Sequence, residues 1–335
     1  MKRRFLLLLL VACGCVALTL PADAYLKFGI DLGPRTIVLR WGSQPVRYFV
    51  SDRLSVPGVN LTQFEAALTR AFATWEAVGT SAIRFQRVGV TGARPIEDDG
   101  LTTLGFESRP ELERVLGQTS FTVDETTGTI VEVDVFFNAT FPWSVAEAGE
   151  AGRFDLESIA VHEIGHLVGL GHSAIGETEL QPGGGRRVIG AKAVMFPIAF
   201  GPRNIVGRQL QTDDIAGVSD IYPDGDFNRR TGSISGRVTK NGQGFFGAHI
   251  VAYNLRTRQL VGNFTLNERG EYVIAGVDPG PCLVRVEPLD DGDIESFFDD
   301  SIDVDLDFQV TYRDRLAVVP EGGNVGDVDV AVRPK

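Results

Sequence analysis

The sequence predicts two domains, the first of the α+β class and the second an all-β sandwich. Its 335 residues are enough for about two domains of ~150 residues each. Helical and strand periodicities mix up to residue 222, whereas short alternating strands with recurring glycines follow it. With 43% hydrophobic and 23% charged residues, the composition is globular and excludes wholesale disorder.

Residues 25–222 carry the pattern of an α+β domain, with helices and strands on separate stretches. Apolar residues spaced by three and one over Phe64–Val78, behind Thr62 as cap, predict an amphipathic helix. A second helix begins after Asp155, a good N-cap, and Leu210–Tyr222 predicts a third. The predicted strands are Arg47–Val50, Arg84–Val88, Gln118–Val123 and Ile130–Phe137.

The composition changes after the third predicted helix. The polar run 223–230 predicts a linker. Residues 231–335 contain short alternating strands separated by turns, which is typical of a β-sandwich. The predicted strands are Ser233–Val238, Ala248–Tyr253, Gly262–Leu266, Tyr272–Ala275 and Cys282–Val286.

Residues 1–24 have the layout of a cleaved secretory signal peptide. Three basic residues precede an apolar run over Phe5–Leu20, and the small-residue pattern ending at Ala24 follows. The run is shorter than the roughly 20 residues of a membrane span, so we expect a secreted, extracellular protein without a transmembrane segment. Lipid anchoring at Cys13 is an alternative, because Leu10–Cys13 resembles a lipoprotein cleavage box; the apolar residues after Cys13 argue against it.

Net charge limits the candidate partners, and cysteine content limits the possible disulfides. The chain has 32 basic and 44 acidic residues, a formal net charge of −12. An acidic surface repels phosphate, so nucleic acid and anionic membranes are poor candidate partners. Loss of Cys13 and Cys15 with the signal peptide would leave Cys282 alone, which excludes an intramolecular disulfide. The sequence does not indicate an oligomeric state.

Three of the four histidines lie within eleven residues. His162 and His166 are four residues apart on the second predicted helix, so they share one face and can bind the same Zn²⁺. Gly169 can adopt the left-handed conformation that turns the chain back, and His172 then supplies a third ligand. Three protein ligands leave one position open for water, as in catalytic zinc sites.

Glu163 follows the first of these ligands and is the candidate catalytic residue. It can take a proton from the attacking water and deliver it to a leaving amine. The spacing therefore predicts a catalytic zinc site at which a water molecule attacks a carbonyl group.

The run His162–His172 resembles the zinc signature of metzincin metalloproteases. Ser173 and the segment Ala193–Pro197 are similar to matrixins, the matrix metalloproteases, in particular. Leu210–Tyr222 is similar to the matrixin C-terminal helix, and Leu116–Thr119 to the matrixin strand that pairs with extended substrate.

The resemblance spans roughly residues 41–222 and implies a twisted sheet with zinc below its edge strand. It implies endopeptidase activity on extended polypeptide. Met195 would form the Met-turn, an apolar floor below the metal that is not a ligand. The substrate-binding residues that it implies are Gly117 and Gln118 on the edge strand, and Pro197, Ile198 and Ala199 around the side chain that follows the scissile bond.

The chain departs from the matrixin pattern at the second metal. Matrixins carry a structural zinc bound by further histidines and an aspartate, but His249 is the only other histidine here, and Gln118 stands where one such histidine would be. We therefore expect a single Zn²⁺. Structural calcium is left open, because the acidic stretch Asp290–Asp307 lacks the spacing of a calcium loop and predicts a solvated, mobile loop.

The second domain resembles the carboxypeptidase regulatory-like, transthyretin-like sandwich in Ser235–Val238, Gly270–Tyr272 and Ala275–Gly280. The resemblance implies a non-catalytic module for spacing, attachment or substrate recruitment.

One alternative function is a surface-binding protein that works through residues 231–335 and has a vestigial metal site. Another is a zinc hydrolase with a non-peptide substrate; the edge strand near Gln118 argues against it, since such an edge pairs with an extended chain.

Overall fold

The computed structural model describes residues 4–8, 27–31, 36–182, 184–298 and 302–335. Most of the predicted signal peptide, including Cys13 and the cleavage site at Ala24, lies outside the described residues. Among the residues that are described, no helix is long and apolar enough to cross a membrane.

The first domain mixes strands and helices, as expected for the α+β class. Its elements are β1 (Arg4–Leu8), β2 (Gly29–Asp31), β3 (Thr36–Val38), β4 (Arg40–Trp41), β5 (Val46–Ser51), α1 (Leu61–Glu76), β6 (Phe85–Thr91), β7 (Thr103–Glu107), β8 (Gly117–Asp124), β9 (Thr129–Asn138), β10 (Trp143–Ser144), β11 (Phe154–Asp155), α2 (Leu156–Leu167), β12 (Gly176–Leu180), β13 (Arg186–Ala191), a 3₁₀ helix (Val206–Arg208) and α3 (Thr212–Ile221).

The central sheet has the strand order β1-β8-β9-β7-β5-β6, and β4 also pairs with β9. Strands β5, β6, β7 and β9 run parallel, whereas β8 is antiparallel to β9. Helix α1 connects the parallel strands β5 and β6, so strands and helices are less segregated along the chain than predicted. Strand β1 pairs antiparallel with the outer part of β8, from Leu8 opposite Ser120 to Arg4 opposite Asp124.

Helix α1 begins earlier than predicted, because its cap is Asn60 and not Thr62. The Asn60 side chain accepts a hydrogen bond from the Gln63 backbone N–H at 2.9 Å, and the Gln63 side chain accepts one from the Asn60 N–H at 3.0 Å. This reciprocal capping box satisfies two backbone donors of the first turn. The predicted apolar face is buried in the core between the sheet and the helices: Phe64, Ala67, Leu68, Ala71, Phe72 and Trp75.

Helix α2 begins directly after Asp155, as predicted. The Asp155 carboxylate accepts a hydrogen bond from the Ser158 backbone N–H at 2.9 Å and two more from Arg208 at 2.9 and 2.6 Å. Trp75 of α1 donates from its indole nitrogen to the carbonyl oxygen of Val161 at 2.8 Å. The two helices are therefore joined by a buried hydrogen bond as well as by apolar packing.

Strand β7 is the central element that the sequence did not predict. All five of its residues, Thr103–Glu107, are buried. A strand buried on both faces lacks the alternation of apolar and polar residues that marks a half-exposed strand. Its polar ends and internal Gly105 further hide the pattern.

The second domain contains every strand predicted for it. Its elements are α4 (Phe227–Arg230), β14 (Gly232–Lys240), β15 (Gln243–Gly244), β16 (His249–Asn254), β17 (Leu260–Phe264), β18 (Glu271–Val277), β19 (Gly280–Glu287), a 3₁₀ helix (Ile294–Ser296), β20 (Thr311–Tyr312), β21 (Ala317–Val319), β22 (Asn324–Val325) and β23 (Val330–Val332).

Two sheets build the second domain. One has the order β15-β14-β18, with β22 and β23 also paired to β14; the other has the order β17-β16-β19-β20, with β21 also paired to β19. Residues of both sheets, such as Ile234 and Ile250, belong to one hydrophobic core, and Cys282 is buried in it. Helix α4 lies within the predicted linker and buries Phe227.

In its described part, the acidic stretch Asp290–Asp307 is partly buried, which differs from the predicted solvated loop. Its apolar residues are anchored in a separate hydrophobic cluster that includes Ala174 of the first domain. The charges dominate the sequence pattern here, whereas the interspersed apolar residues decide the packing. The buried members of the cluster are Ala174, Phe264, Leu266, Leu289, Phe297, Phe298 and Val304.

Strand β9 carries two buried carboxyl groups, those of Glu132 and Asp134. Burial raises the pKa of Asp134 to about 8 and that of Glu132 to about 7. A backbone hydrogen bond from Thr103 at 2.9 Å lowers the pKa of Asp134 but does not offset its burial. A carboxyl group whose pKa is higher in the folded state binds its proton more tightly there, so its contribution to stability is lost as the pH rises from about 4 to about 8.

We expect Asp134→Asn to raise the melting temperature at pH 8 by a few °C, where about 1 kcal/mol corresponds to roughly 2–4 °C in a larger domain. Asparagine retains the acceptor for Thr103 but cannot ionise. The difference from the native protein should shrink towards pH 4, as followed by thermal unfolding across this pH range. The exposed residue Asp314 provides the control variant Asp314→Asn. A lower melting temperature of Asp134→Asn at pH 8 would contradict the burial argument.

Candidate functional site

The three predicted metal ligands converge in the structure. His162, His166 and His172 each offer one ligand atom within 4.8 Å of the others. Helix α2 places the first two on one face. Gly169 follows the helix with φ of 101°, and a Cβ there would lie 2.7 Å from the carbonyl oxygen of Leu39, so glycine is required for the turn that brings His172 back.

Each of these histidines uses its Nδ1 atom for a hydrogen bond to a backbone carbonyl. Because a carbonyl only accepts, each Nδ1 carries the proton and each Nε2 is left with a free electron pair. The acceptors are the carbonyl oxygens of Val194 for His162 (2.8 Å), Leu170 for His166 (2.8 Å) and Ser296 for His172 (2.5 Å).

This donor set fits a zinc ion. Two nitrogens that each lie ~2.0–2.1 Å from zinc in a tetrahedral arrangement are about 3.3–3.4 Å apart. The Nε2 atoms of His166 and His172 are 3.2 Å apart. Burial lowers the pKa of all three imidazoles, that of His172 to about 3, so they are held in the neutral form that binds metal.

Glu163 lies beside the ligands and is 2% exposed. Burial raises the pKa of its carboxyl group to about 8, while a hydrogen bond from Thr119 Oγ1 at 2.7 Å opposes this rise. Gly117 makes room for the group, because a Cβ at that position would lie 2.7 Å from Glu163 Oε1. The start of β8 thus holds the Glu163 carboxyl group in place beside the histidines.

Met195 packs directly beneath helix α2. A Cβ at Gly165, between two ligands of the helix, would lie 2.2 Å from Met195 Sδ. Asp214 of helix α3 holds this turn, because its carboxylate accepts hydrogen bonds from the backbone N–H groups of Val194 at 2.8 Å and Met195 at 3.1 Å. Met195 therefore packs against the helix between His162 and His166, where the resemblance places the apolar floor.

A cavity of about 480 Å³ opens beside His162 and Glu163. Four predicted substrate-binding residues line it: Gly117, Pro197, Ile198 and Ala199. Its apolar lining is extended by Phe154, Ile159 and Phe200. The second domain contributes Asp293, Glu295 and Ser296, which the sequence analysis did not connect with the site.

Gln118 is the predicted substrate-binding residue that the structure does not bring to the cavity. Successive side chains of a strand point to opposite faces, so Gln118 points away from Glu163 while Gly117 and Thr119 face it. Gln118 is 1% exposed, and its amide atoms have no hydrogen-bond partner among the described residues. The alternation of side chains along β8 explains why the prediction for Gln118 was wrong. It also explains the contact between Thr119 and Glu163, which the sequence did not reveal.

The comparisons with known proteins agree with this geometry. Residues 40–183 match the matrixin family. This part of the chain is a matrixin domain. The match includes the three histidines and Glu163, and it ends before Met195.

Three relatives share this similarity. The metalloendoproteinase 5-MMP of Arabidopsis thaliana is 43% identical over 76 residues, which are 22% of this chain and 16% of that protein. Karilysin of Tannerella forsythia is 24% identical over 197 residues, 55% of this chain and 33% of karilysin. Metalloendoproteinase 1-MMP of Arabidopsis thaliana is 26% identical over 194 residues, 55% of this chain and 44% of that protein. The chain thus spans less than half the length of each of these relatives.

We expect the purified protein to bind one zinc ion per chain and His166→Ala to lose it, as measured by elemental analysis after dialysis. His249→Ala is the matched control, because His249 lies on β16 and its Nδ1 pairs with Glu287 at 3.0 Å, outside the matrixin domain. This variant should retain one zinc ion. Zinc retained by His166→Ala, or a second zinc ion in the native protein, would contradict the assignment.

Proposed function

We propose that this protein is a secreted, zinc-dependent endopeptidase that hydrolyses peptide bonds of extended polypeptides. The observation that carries the proposal is the convergence of three neutral histidine Nε2 atoms with the buried Glu163 carboxyl group at the wall of an open cleft. A zinc ion bound by these histidines would lower the pKa of a water molecule and polarise the scissile carbonyl group.

Glu163 performs the proton transfers in this proposal. Its carboxylate takes a proton from the attacking water as the water oxygen bonds to the carbonyl carbon. The same proton then passes to the amide nitrogen, and the C–N bond breaks to release an amine. The hydrogen bond from Thr119 holds the Glu163 carboxyl group in place.

The substrate binds as an extended strand along β8. An exposed strand edge pairs with an extended peptide through backbone hydrogen bonds. Strand β1 lies within the proposed signal peptide and pairs with the outer part of β8 in antiparallel register, so loss of residues 1–24 would open the edge of β8 to a peptide. Pro197, Ile198 and Ala199 then border the pocket for the substrate side chain after the scissile bond. Their apolar character favours an apolar substrate residue.

The organisation of the whole chain is part of the same proposal. Residues 1–24 act as the signal peptide, residues 25–222 form the catalytic domain and residues 223–230 form the connection. Residues 231–335 form a carboxypeptidase regulatory-like β-sandwich, which is supported by the common core of the two sheets.

We expect Glu163→Gln to lower kcat/KM by about 10²–10⁴-fold while zinc stays bound, because glutamine retains the acceptor for Thr119 but cannot accept the proton from water. Hydrolysis of a mixed peptide library, with and without a chelator, measures the activity, and elemental analysis measures the zinc. Glu157→Gln is the control on the same helix, because Glu157 is buried and pairs with Arg70 at 2.6 Å but does not line the cleft.

Activity retained by Glu163→Gln would contradict the mechanism. A zinc-loaded native protein that cleaves no peptide of the library, with ligand affinity residing in residues 231–335, would instead favour the surface-binding alternative.

A further inference from the structure

His172, the third candidate ligand, contacts the second domain. His162 and His166 donate their Nδ1 hydrogens to carbonyl groups of the first domain, whereas His172 donates to Ser296 of the second domain at 2.5 Å. The ring of Phe297 also packs edge-on against the ring of His172, with centroids 6.3 Å apart. The tautomer and orientation of His172 therefore depend on residues from outside its own domain.

The segment that makes these contacts, Asp293–Phe297, is termed the wall segment. Its N-terminal end is clamped by the β12–β13 hairpin. Thr178 donates two hydrogen bonds to Asp291, from its backbone N–H at 2.8 Å and its hydroxyl at 2.7 Å. Arg186 donates to the carbonyl oxygen of Asp290 at 2.8 Å and to the carboxylate of Asp293 at 3.3 Å.

The C-terminal end of the wall segment is held by apolar packing. Phe297 is buried in the same cluster as Phe264, with ring centroids 5.9 Å apart, and Ala174 of the matrixin domain belongs to that cluster. Both ends of the wall segment are thus fixed on the first domain, and Ser296 lies between them.

A second set of contacts joins the domains next to His172. Ser173 donates to the Asp213 carboxylate at 2.6 Å, and the same carboxylate accepts the backbone N–H of Gly262 on β17 at 2.9 Å. Thr212 and Leu260 exchange two further hydrogen bonds at 2.7 and 3.1 Å. The residue that follows the third ligand is therefore tied, through Asp213, to the sheet of the second domain.

The wall segment also borders the cleft. Asp293, Glu295 and Ser296 line the same cavity as His162 and Glu163. Asp293 is paired with Arg186, whereas Glu295 is exposed and makes no ion pair among the described residues. The cleft thus has one wall with an uncompensated carboxylate, which attracts a basic substrate side chain.

We propose that the second domain is part of the catalytic centre: its wall segment positions His172 for zinc and forms one wall of the substrate cleft, where Glu295 selects basic side chains. This inference rests on the proposed function and assigns the second domain a role at the active site in place of spacing or attachment. Ser296 and Phe297 are positioning residues, since they act on the metal through His172.

The positioning role is tested by the zinc dissociation constant of Phe297→Ala, measured in the full-length protein by competition with a chelator. We expect zinc binding to weaken by about 10-fold or more, as is typical when the partner of a ligating histidine is disturbed. Phe298→Ala is the matched control, because Phe298 is buried in the same cluster and contacts Phe246 and Phe264. It should lose similar stability but bind zinc within about twofold of the native protein.

Two further variants separate positioning from loss of packing. Phe297→Leu should restore most of the zinc affinity, because it retains a large apolar side chain beside His172. Gly292→Ala should weaken zinc binding without removing the phenylalanine, because a Cβ there would lie 2.6 Å from Phe297 Cε2. Equal weakening by Phe297→Ala and Phe298→Ala, or no weakening by either, would overturn the positioning role.

The selectivity role is tested by Glu295→Lys against Glu268→Lys, a control at an exposed position of the second domain outside the cleft. In a peptide library, Glu295→Lys should reduce kcat/KM for the preferred basic residue by about tenfold and leave zinc affinity unchanged. An unchanged library profile would refute selection by Glu295.

The two proposals can fail separately, because zinc affinity is measured without hydrolysis. A native protein that binds zinc and cleaves nothing refutes the proposed endopeptidase. The zinc affinities of the Phe297 variants still decide the positioning role in that case.

Discussion

The site depends on three hydrogen bonds, each from a histidine Nδ1 atom to a backbone carbonyl oxygen. A neutral imidazole has one protonated nitrogen, so these bonds decide which nitrogen is free to bind a metal ion. The carbonyl groups come from the helix end, from the turn that carries Met195 and from the second domain. Three distant parts of the chain must therefore pack correctly before the three Nε2 atoms can converge.

The same packing controls the environment of Glu163. The carboxyl group is buried between helix α2 and the start of β8, where Gly117 leaves space for it and Thr119 donates to it. Burial disfavours the charged form and the hydrogen bond favours it, so the two effects oppose each other. In the proposed mechanism, strand β8 has two roles: it contacts the candidate base, and it would offer backbone groups to an extended substrate.

The contacts of the second domain show that it packs against the first domain beside His172. An appended sandwich on a flexible linker would leave the cleft as it is in an isolated matrixin domain. Here α4 buries Phe227 within the predicted linker, and Asp213 and the wall segment connect the domains on either side of His172. The domain interface and the histidine cluster are therefore adjacent parts of one structure.

Local sequence patterns predicted helices α1, α2 and α3, nine of the 23 strands in the described part of the chain, and the histidine cluster. The helical repeat alone predicts that His162 and His166 share a face, and the steric freedom of glycine alone predicts a turn at Gly169. Both predictions can therefore be made without tertiary information. The buried strand β7 and the cap at Asn60 were not recognised. Continuous burial removes alternation from β7, and Asn60 competed with the equally acceptable cap Thr62 two residues later.

The sequence by itself determined the chemistry of the site: three histidines at metal-binding spacing, an adjacent glutamate and a methionine further along the chain. Only the tertiary structure decided which side chains support them. Gln118 turns away from the cleft while Thr119 reaches Glu163, because the pleat of β8 fixes alternate faces once the strand is paired. Ser296 reaches His172 from 124 residues away because apolar side chains anchor an acidic stretch against another domain, a long-range contact that no local pattern encodes.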